Sequence, residues 1–458
     1  MTYDYDFFVI GAGPGGASAA KRAAKYGAKV AIAERENLGG VCTNRGCIPK
    51  KLMVYAGDFA DLVEDADGYG WDLVAKGFNW QRFVAARNQH VERIHAAQQR
   101  ALDEAGIELI RASARFIDGH RLQVGDRQIT ARNILIAVGG KPNKPPIEGI
   151  EHAMTSKEIF DIDRIPHRIA IIGAGYIGVE FASMFSQMGA DVFIMNIEAC
   201  ILQSFDDDIR FGLRDALMQR GIHSFCSTTA NKIEPVADGL RLTLEGDCPD
   251  RGDCPKEITV DRVLCATGRS ANLEDLGLEQ AGVEANKKAI AVNDYSRTSQ
   301  EHIYAVGDCT GRLGLTPVAT AEGRAVADTL FGDRPQTVDY RLVPTSIFAR
   351  PEAASVGLTE KEAREDLGDD RVRCCRTRFT PLFNSLTQSY KREQQALFKV
   401  VVDQESDRVV GIHAIGPHAA EIIQSLAAAM KMGITKSKLD ETIGIHPTIG
   451  EELFLIYE

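Results

Sequence analysis

Cys42 and Cys47 are the residues of this chain best suited to chemistry. They stand in Gly40-Val41-Cys42-Thr43-Asn44-Arg45-Gly46-Cys47-Ile48-Pro49-Lys50-Lys51. A thiolate is a nucleophile, and two thiols this close in sequence can close to a disulfide and reopen. The bland alternative is a pair of small buried apolar residues. Their place directly after a glycine-rich strand–helix turn argues instead for a redox pair beside an electron-carrying cofactor.

Such a pair needs elements that hold the cofactor. Val9-Ile10-Gly11-Ala12-Gly13-Pro14-Gly15-Gly16 ends a short apolar strand and opens a helix expected over Ala17 to Tyr26. This is G-x-G-x-x-G in context. Gly11 makes the tight turn, Gly13 lets the backbone approach a pyrophosphate, and the Gly15-Gly16 end lets helix pack on strand. The next strand, Lys29 to Ala33, ends in Glu34, where an acid should hold the adenosine ribose. The pattern recurs in Ile169 to Ile172 followed by Gly173-Ala174-Gly175-Tyr176-Ile177-Gly178, a helix expected over Val179 to Met188, and a strand from Asp191 to Met195. Two dinucleotide sites in one chain predict hydride passing between two cofactors. Nicotinamide alone reduces disulfides poorly, whereas a flavin can accept a hydride and form a thiolate adduct. The cysteines follow the first site, so FAD is expected there and the nicotinamide at the second.

A chain of 458 residues suggests about three domains. A hydrophobic content of 44% and a charged content of 26% are ordinary for a globular protein. The net charge of −11 argues against nucleic acid or an anionic membrane as the main partner. No apolar run approaches the ~20 residues that span a bilayer. Met1 leads straight into the strand-like Tyr5 to Ile10, which leaves no room for a leader and favours a cytoplasmic location. The 10 cysteines are scattered, so most are expected to be reduced and structural. Cys248 and Cys254 flank a loop-like Pro249-Asp250-Arg251-Gly252-Asp253 and could pair or bind a metal; two ligands are too few for a zinc site, and ordinary thiols are the favoured reading. Cys374 and Cys375 would point to opposite faces of a strand and so form no working pair.

With the cysteine segment from Gly39, both glycine loops, Ala266-Thr267-Gly268-Arg269, Ala305-Val306-Gly307-Asp308 and His446-Pro447-Thr448-Ile449-Gly450-Glu451-Glu452, the whole chain resembles the class I flavoprotein pyridine nucleotide-disulfide oxidoreductases. Within that family it looks most like the glutathione reductases. The resemblance implies an α/β protein: two Rossmann-like dinucleotide-binding domains, for FAD and NAD(P), plus an α+β C-terminal dimerisation domain. The expected boundaries are 1–143 for FAD, 144–270 for NAD(P)H, 271–341 as a central segment completing the FAD domain, and 342–458 as the dimer interface. It further implies that Cys42 attacks the substrate disulfide and Cys47 faces the flavin as the charge-transfer thiolate. Asp308 would bind the ribityl chain of FAD with Thr316 nearby, and Lys50 would pair with Glu180 beside the flavin. His446 would be the acid–base catalyst, oriented by Glu451, and would reach the cysteines of a partner subunit in a homodimer with shared active sites. The helix Ala419 to Met432 belongs to the implied interface segment.

The two ends of this relay depart from the usual pattern. Between Gly178 and Asp208 there is no Lys, Arg or His. Ile197 and Gln203 align with the usual phosphate-binding arginines, Glu198 lies between them, and Gly178 replaces a frequent alanine. A 2′-phosphate would lack a cation there. This favours NADH over NADPH, with Gly268-Arg269 as the other candidate contact. At the substrate end, Arg324 and Lys21 suit the carboxylates of an anionic tripeptide disulfide, while Gln98 replaces a substrate-contacting tyrosine and Pro14 a serine. The expected substrate is oxidised glutathione or a related low-molecular-weight disulfide. A dihydrolipoamide dehydrogenase is the alternative within the family, although Lys51 replaces its usual serine. A mercuric or thioredoxin reductase would carry a further pair near the C-terminus, and the last cysteine here is Cys375. A non-catalytic flavin-binding interaction protein is the alternative of another class.

Overall fold

The computed structural model describes residues 2–248, 254–387 and 396–456. They form two units: 1–52, 81–143 and 268–340 in the first, and 53–80, 144–267 and 341–458 in the second.

The first unit is built on a parallel sheet. Its apolar strand Tyr5–Ile10 pairs with Val30–Ala33 on one side and Arg127–Ile136 on the other. Glu108–Ile110 extends the sheet beyond Val30–Ala33, and Ile303–Ala305 pairs with Arg127–Ile136 from far along the sequence. An antiparallel ribbon of Arg121–Val124 and Ala114–Phe116 completes it. The strands are near-continuously apolar because both faces are covered.

The helix after the first strand spans Pro14–Lys25, three residues earlier than the apolar periodicity suggested. Proline is suited to the first turn, where its missing N–H costs nothing. A Cβ on Gly16 would stand 2.0 Å from the Gly11 carbonyl oxygen, so this position admits glycine only. The helix packs along Thr316–Phe331, and a Cβ on Gly323 would meet the Gly15 oxygen at 2.2 Å. Two glycines thus allow the backbones to touch.

In the second unit, four parallel strands run in the order His223–Phe225, Asp191–Met195, Arg168–Ile172, Arg262–Cys265. Helix Tyr176–Gln187 follows the second glycine loop, again starting earlier than expected. A three-stranded antiparallel sheet, Thr228–Val236, Gly239–Gly246 and Glu257–Val260, is appended. Its last hairpin brings Cys248 and Cys254 to a Cα separation of 5.2 Å, and they form a disulfide. The expectation of two ordinary thiols is corrected: the antiparallel register of Gly239–Gly246 with Glu257–Val260 brings the two strand ends opposite one another.

The C-terminal part is a five-stranded antiparallel sheet, with helix Ala419–Lys431 packed on it. Buried Lys399 on strand Ala396–Asp403 donates to Asp206 and Asp208, each at 2.7 Å, at the start of helix Asp207–Gln219. Cys375 is buried and Cys374 half-buried on strand Val372–Phe379, on opposite faces as the alternation requires.

Candidate functional site: a thiol pair at a helix start

Cys42 lies in the short helix Gly40–Arg45, and Cys47 is the first residue of helix Cys47–Asp65. Gly46 breaks the chain between them, with φ −146° and ψ −119°. Pro49, in the first turn, is tolerated because the N–H it lacks would have no partner within the helix. The break turns two helical segments so that both sulfurs meet.

Both cysteines are thiols in this structure. Cys42 is half-buried and donates to Cys47, which holds the Cys42 proton on and pushes its pKa up. The same hydrogen bond, aided by the Thr316 hydroxyl 3.4 Å from Cys47 Sγ and by the charge of Lys50, lowers Cys47 to about 6. A helix N-terminus also favours the anion. The pair is therefore unequal: Cys47 is the thiolate near neutrality and Cys42 the protonated partner. In the reduced enzyme, thiolate ultraviolet absorbance is expected to grow as pH rises through about 6, against the usual 9.0 for cysteine. Below that pH the signal should vanish, and a single titration near 9.0 would refute the assignment.

The surroundings fit a flavin dinucleotide. Gly11 has φ +104°, and a Cβ there would stand 2.5 Å from the Ala137 oxygen. Gly13 approaches only Gly40, at 3.9 Å from its virtual Cβ, which leaves an open backbone face at the helix start for a pyrophosphate. Glu34 accepts from the backbone N–H groups of Ala12 and Glu36, both at 2.8 Å, and so stands fixed beside the loop. Asp308 lies 3.5 Å from Arg269. Arg269 also donates to the Gly140 carbonyl at 2.5 Å, beside the antiparallel pair Gly140–Pro142 and Arg269–Ala271. Arg269 is thus engaged with both Asp308 and the Gly140 carbonyl. Gly268, with φ +97°, makes the turn before it and accepts from the Asn143 N–H at 2.9 Å.

Glu322 was not evident in the sequence. It is buried on helix Thr316–Phe331, accepts from the Gly307 N–H at 2.7 Å and from the Tyr340 hydroxyl at 2.6 Å, and so fixes the turn that presents Asp308. Burial and then this hydrogen bond push Tyr340 up to about 12, so it stays a donor.

The second loop repeats the first. A Cβ on Gly178 would stand 1.9 Å from the Gly173 oxygen, whereas one on Gly175 would meet nothing within 4 Å. The open side of Gly175, with Ala174, Tyr176 and Ile177 around it, suits a second pyrophosphate. Beyond strand Asp191–Met195, Ile197 is 71% exposed and Glu198 is exposed, with its carbonyl accepting from the Ser227 N–H at 2.8 Å. Glu180 is buried in the helix and accepts from the Phe348 N–H at 2.9 Å.

The three predicted substrate residues lie in the first unit. Exposed Arg324 donates to Ser18 at 3.2 Å, and Lys21 is exposed one turn along from Ser18 on the same helix. Gln98, on helix Trp80–Glu104, reaches Thr43 beside Cys42 at 3.5 Å. In the second unit, His446 is 82% exposed and its Nδ1 lies 3.1 Å from Glu451. Glu451 also accepts from the Thr448 N–H at 3.0 Å, so the carboxylate holds the ring and leaves Nε2 turned outward. Among the described residues there is no cluster of three potential metal ligands, and no helix is long and apolar enough to cross a membrane.

Comparison with known proteins agrees with this geometry. Residues 5–323 match the pyridine nucleotide-disulphide oxidoreductase family, and residues 343–455 match its dimerisation domain. The chain is 47% identical to a glutathione reductase of Nostoc sp., with 99% of each chain covered. It is 42% identical to a glutathione reductase of Burkholderia cepacia, with 98% of each covered. It is 38% identical to the chloroplastic/mitochondrial glutathione reductase of Pisum sativum, over 98% of this chain and 82% of that one. The chain belongs to the pyridine nucleotide-disulphide oxidoreductase family and is an FAD-dependent disulfide oxidoreductase.

Proposed function

We propose that the protein reduces oxidised glutathione, or a closely related low-molecular-weight disulfide, at Cys42 and Cys47. The observation that carries this reading is the unequal thiol pair at the start of helix Cys47–Asp65, next to a dinucleotide loop. Gly11, Gly13, Gly15, Gly16, Glu34, Asp308 and Lys50 would hold FAD, which when bound would supply two-electron transfer between the nicotinamide and the thiol pair. Residues 1–143 and 271–341 would form its domain, 144–270 the nicotinamide domain, and 342–458 the interface of a homodimer in the cytoplasm.

The remaining steps belong to the chain. Cys42 loses its proton to His446 of the partner subunit and attacks the substrate disulfide. A bond forms between Cys42 and one substrate sulfur, and the other leaves as a thiolate that takes the proton back. The Cys47 thiolate then attacks the Cys42 sulfur, closing the Cys42–Cys47 disulfide and expelling the second substrate half as a thiolate, which takes its proton from water. Lys21 and Arg324 supply positive charge for an anionic tripeptide, and Gln98 lines the approach beside Thr43. Lys50 and Glu180 would pair beside the flavin. The test is turnover with oxidised glutathione, its amide disulfide and lipoamide. Lipoamide turnover with both glutathione forms inert would overturn the substrate.

We also propose that NADH is favoured over NADPH, because exposed Ile197 and Glu198 offer a 2′-phosphate no cation. Installing arginines through Ile197→Arg and Gln203→Arg is expected to raise kcat/KM for NADPH by about tenfold or more, from charge-assisted hydrogen bonds. A wild-type enzyme that already prefers NADPH would sink this proposal.

A further inference from the structure

A second set of cysteines lies behind the loop that follows strand Asp191–Met195. Cys200 and Cys226 are each 1% exposed, and their side chains hydrogen-bond to one another. Cys200 ends the exposed stretch Ile197 to Ala199 and, through its carbonyl, accepts from the Asn196 side chain at 3.0 Å. Cys226 follows strand His223–Phe225.

Backbone bonds lace the two segments together. Asn196 donates to the Phe225 carbonyl at 2.9 Å, Ser227 to that of Glu198 at 2.8 Å, and Thr228 to that of Asn196 at 2.8 Å. The Thr228 hydroxyl donates to the Cys226 carbonyl at 2.9 Å and lies 3.2 Å from Cys248 Sγ of the disulfide. Ile197 and Glu198 are thus carried on a loop whose two anchor points each end in a thiol.

We propose that Cys200 and Cys226 are a second redox site, oxidised by a hydroperoxide to a disulfide that lowers affinity for the nicotinamide nucleotide. The Cys200 thiolate attacks the peroxide O–O bond, giving a sulfenic acid and, with one proton, water. The Cys226 thiol displaces the hydroxyl of that sulfenic acid, forming the S–S bond and a second water. Two thiols and hydrogen peroxide become one disulfide and two waters. Thiolate character at Cys200 is favoured by the Cys226 hydrogen bond and by Arg214 and Arg210, which lower its pKa to about 7. Cys200 adjoins the exposed residues Ile197 to Ala199 in the chain, so local opening of that loop would admit a molecule as small as hydrogen peroxide. Drawing the sulfurs to bonding distance pulls the Cys200 end of the loop and displaces Asn196 to Glu198 from the ribose position.

The test uses the FAD-loaded enzyme, treated with hydrogen peroxide and then freed of it. Non-reducing peptide mass spectrometry reads the linkage. Direct nucleotide binding and NADH-driven ferricyanide reduction read the consequence, and neither measurement needs Cys42 or Cys47. A Cys200–Cys226 cross-link with about fivefold or greater loss of nucleotide affinity is expected, together with an unchanged maximal ferricyanide rate. Cys226→Ser should keep its affinity under the same treatment. The absence of the cross-link, a cross-link with unchanged affinity, or an equal loss in Cys226→Ser would each overturn the proposal.

Discussion

Cys42→Ser is expected to cut disulfide turnover by at least ~10³-fold, because it removes the thiol proposed to make the covalent link to substrate. Nucleotide-driven reduction of ferricyanide should persist, since the flavin side of the relay is untouched. Cys47→Ser should fail differently. Its Cys42 can still attack, but nothing closes the pair, so a mixed disulfide with one substrate half should accumulate and be visible by intact mass. The asymmetry follows from the hydrogen bond between the sulfurs: Cys42 carries the proton and Cys47 the charge. Equal trapping at both positions, or appreciable turnover by Cys42→Ser, would contradict these roles.

His446→Gln is expected to lower turnover by about 10²- to 10⁴-fold, the usual worth of a positioned acid–base group. Thermal stability should hardly change, because the ring is 82% exposed and bonded only to Glu451 among the described residues. Glu451→Ala should cost less in rate, since it removes the orientation of Nδ1 and not the proton donor. Sharing of the site between subunits has its own signature. Mixed dimers of Cys42→Ser and His446→Gln chains should regain activity, because one of their two sites receives an intact cysteine pair and an intact histidine. Dimers that stay inactive on mixing would place the histidine of the same chain at the thiols.

The parts legible in the sequence are those written in consecutive residues. Both glycine loops, the pair Cys42 and Cys47 and the carboxylate five positions beyond His446 carry their spacing in the chain itself. Helix starts were read late because Pro14 and Tyr176 open their helices within the glycine pattern, before apolar periodicity begins. Glu322 was invisible because its partner Gly307 and its burial depend on where helix Thr316–Phe331 comes to rest. The tie of Arg269 to Gly140 was not legible, since that bond crosses 129 positions of sequence. The Cys248–Cys254 disulfide depended on hairpin register, which loop composition does not specify.

The order of the sheet in the first unit bears on how a ribosome delivers the protein. Strand Tyr5–Ile10 and its first glycine loop emerge ahead of the rest of their sheet, yet Ile303–Ala305 must pair beside Arg127–Ile136 before Asp308 and helix Thr316–Phe331 can take their places. At roughly 5–20 residues per second, the nascent chain spends many seconds with this edge open. Gly140–Pro142 and Arg269–Ala271 are neighbours in one ribbon, so everything between them leaves and returns at a single point. That intervening stretch can fold while the first sheet waits for its last strand. Flavin capture is consequently a late event of synthesis, and a truncated chain ending before residue 303 should emerge with a formed nucleotide loop and no retained flavin.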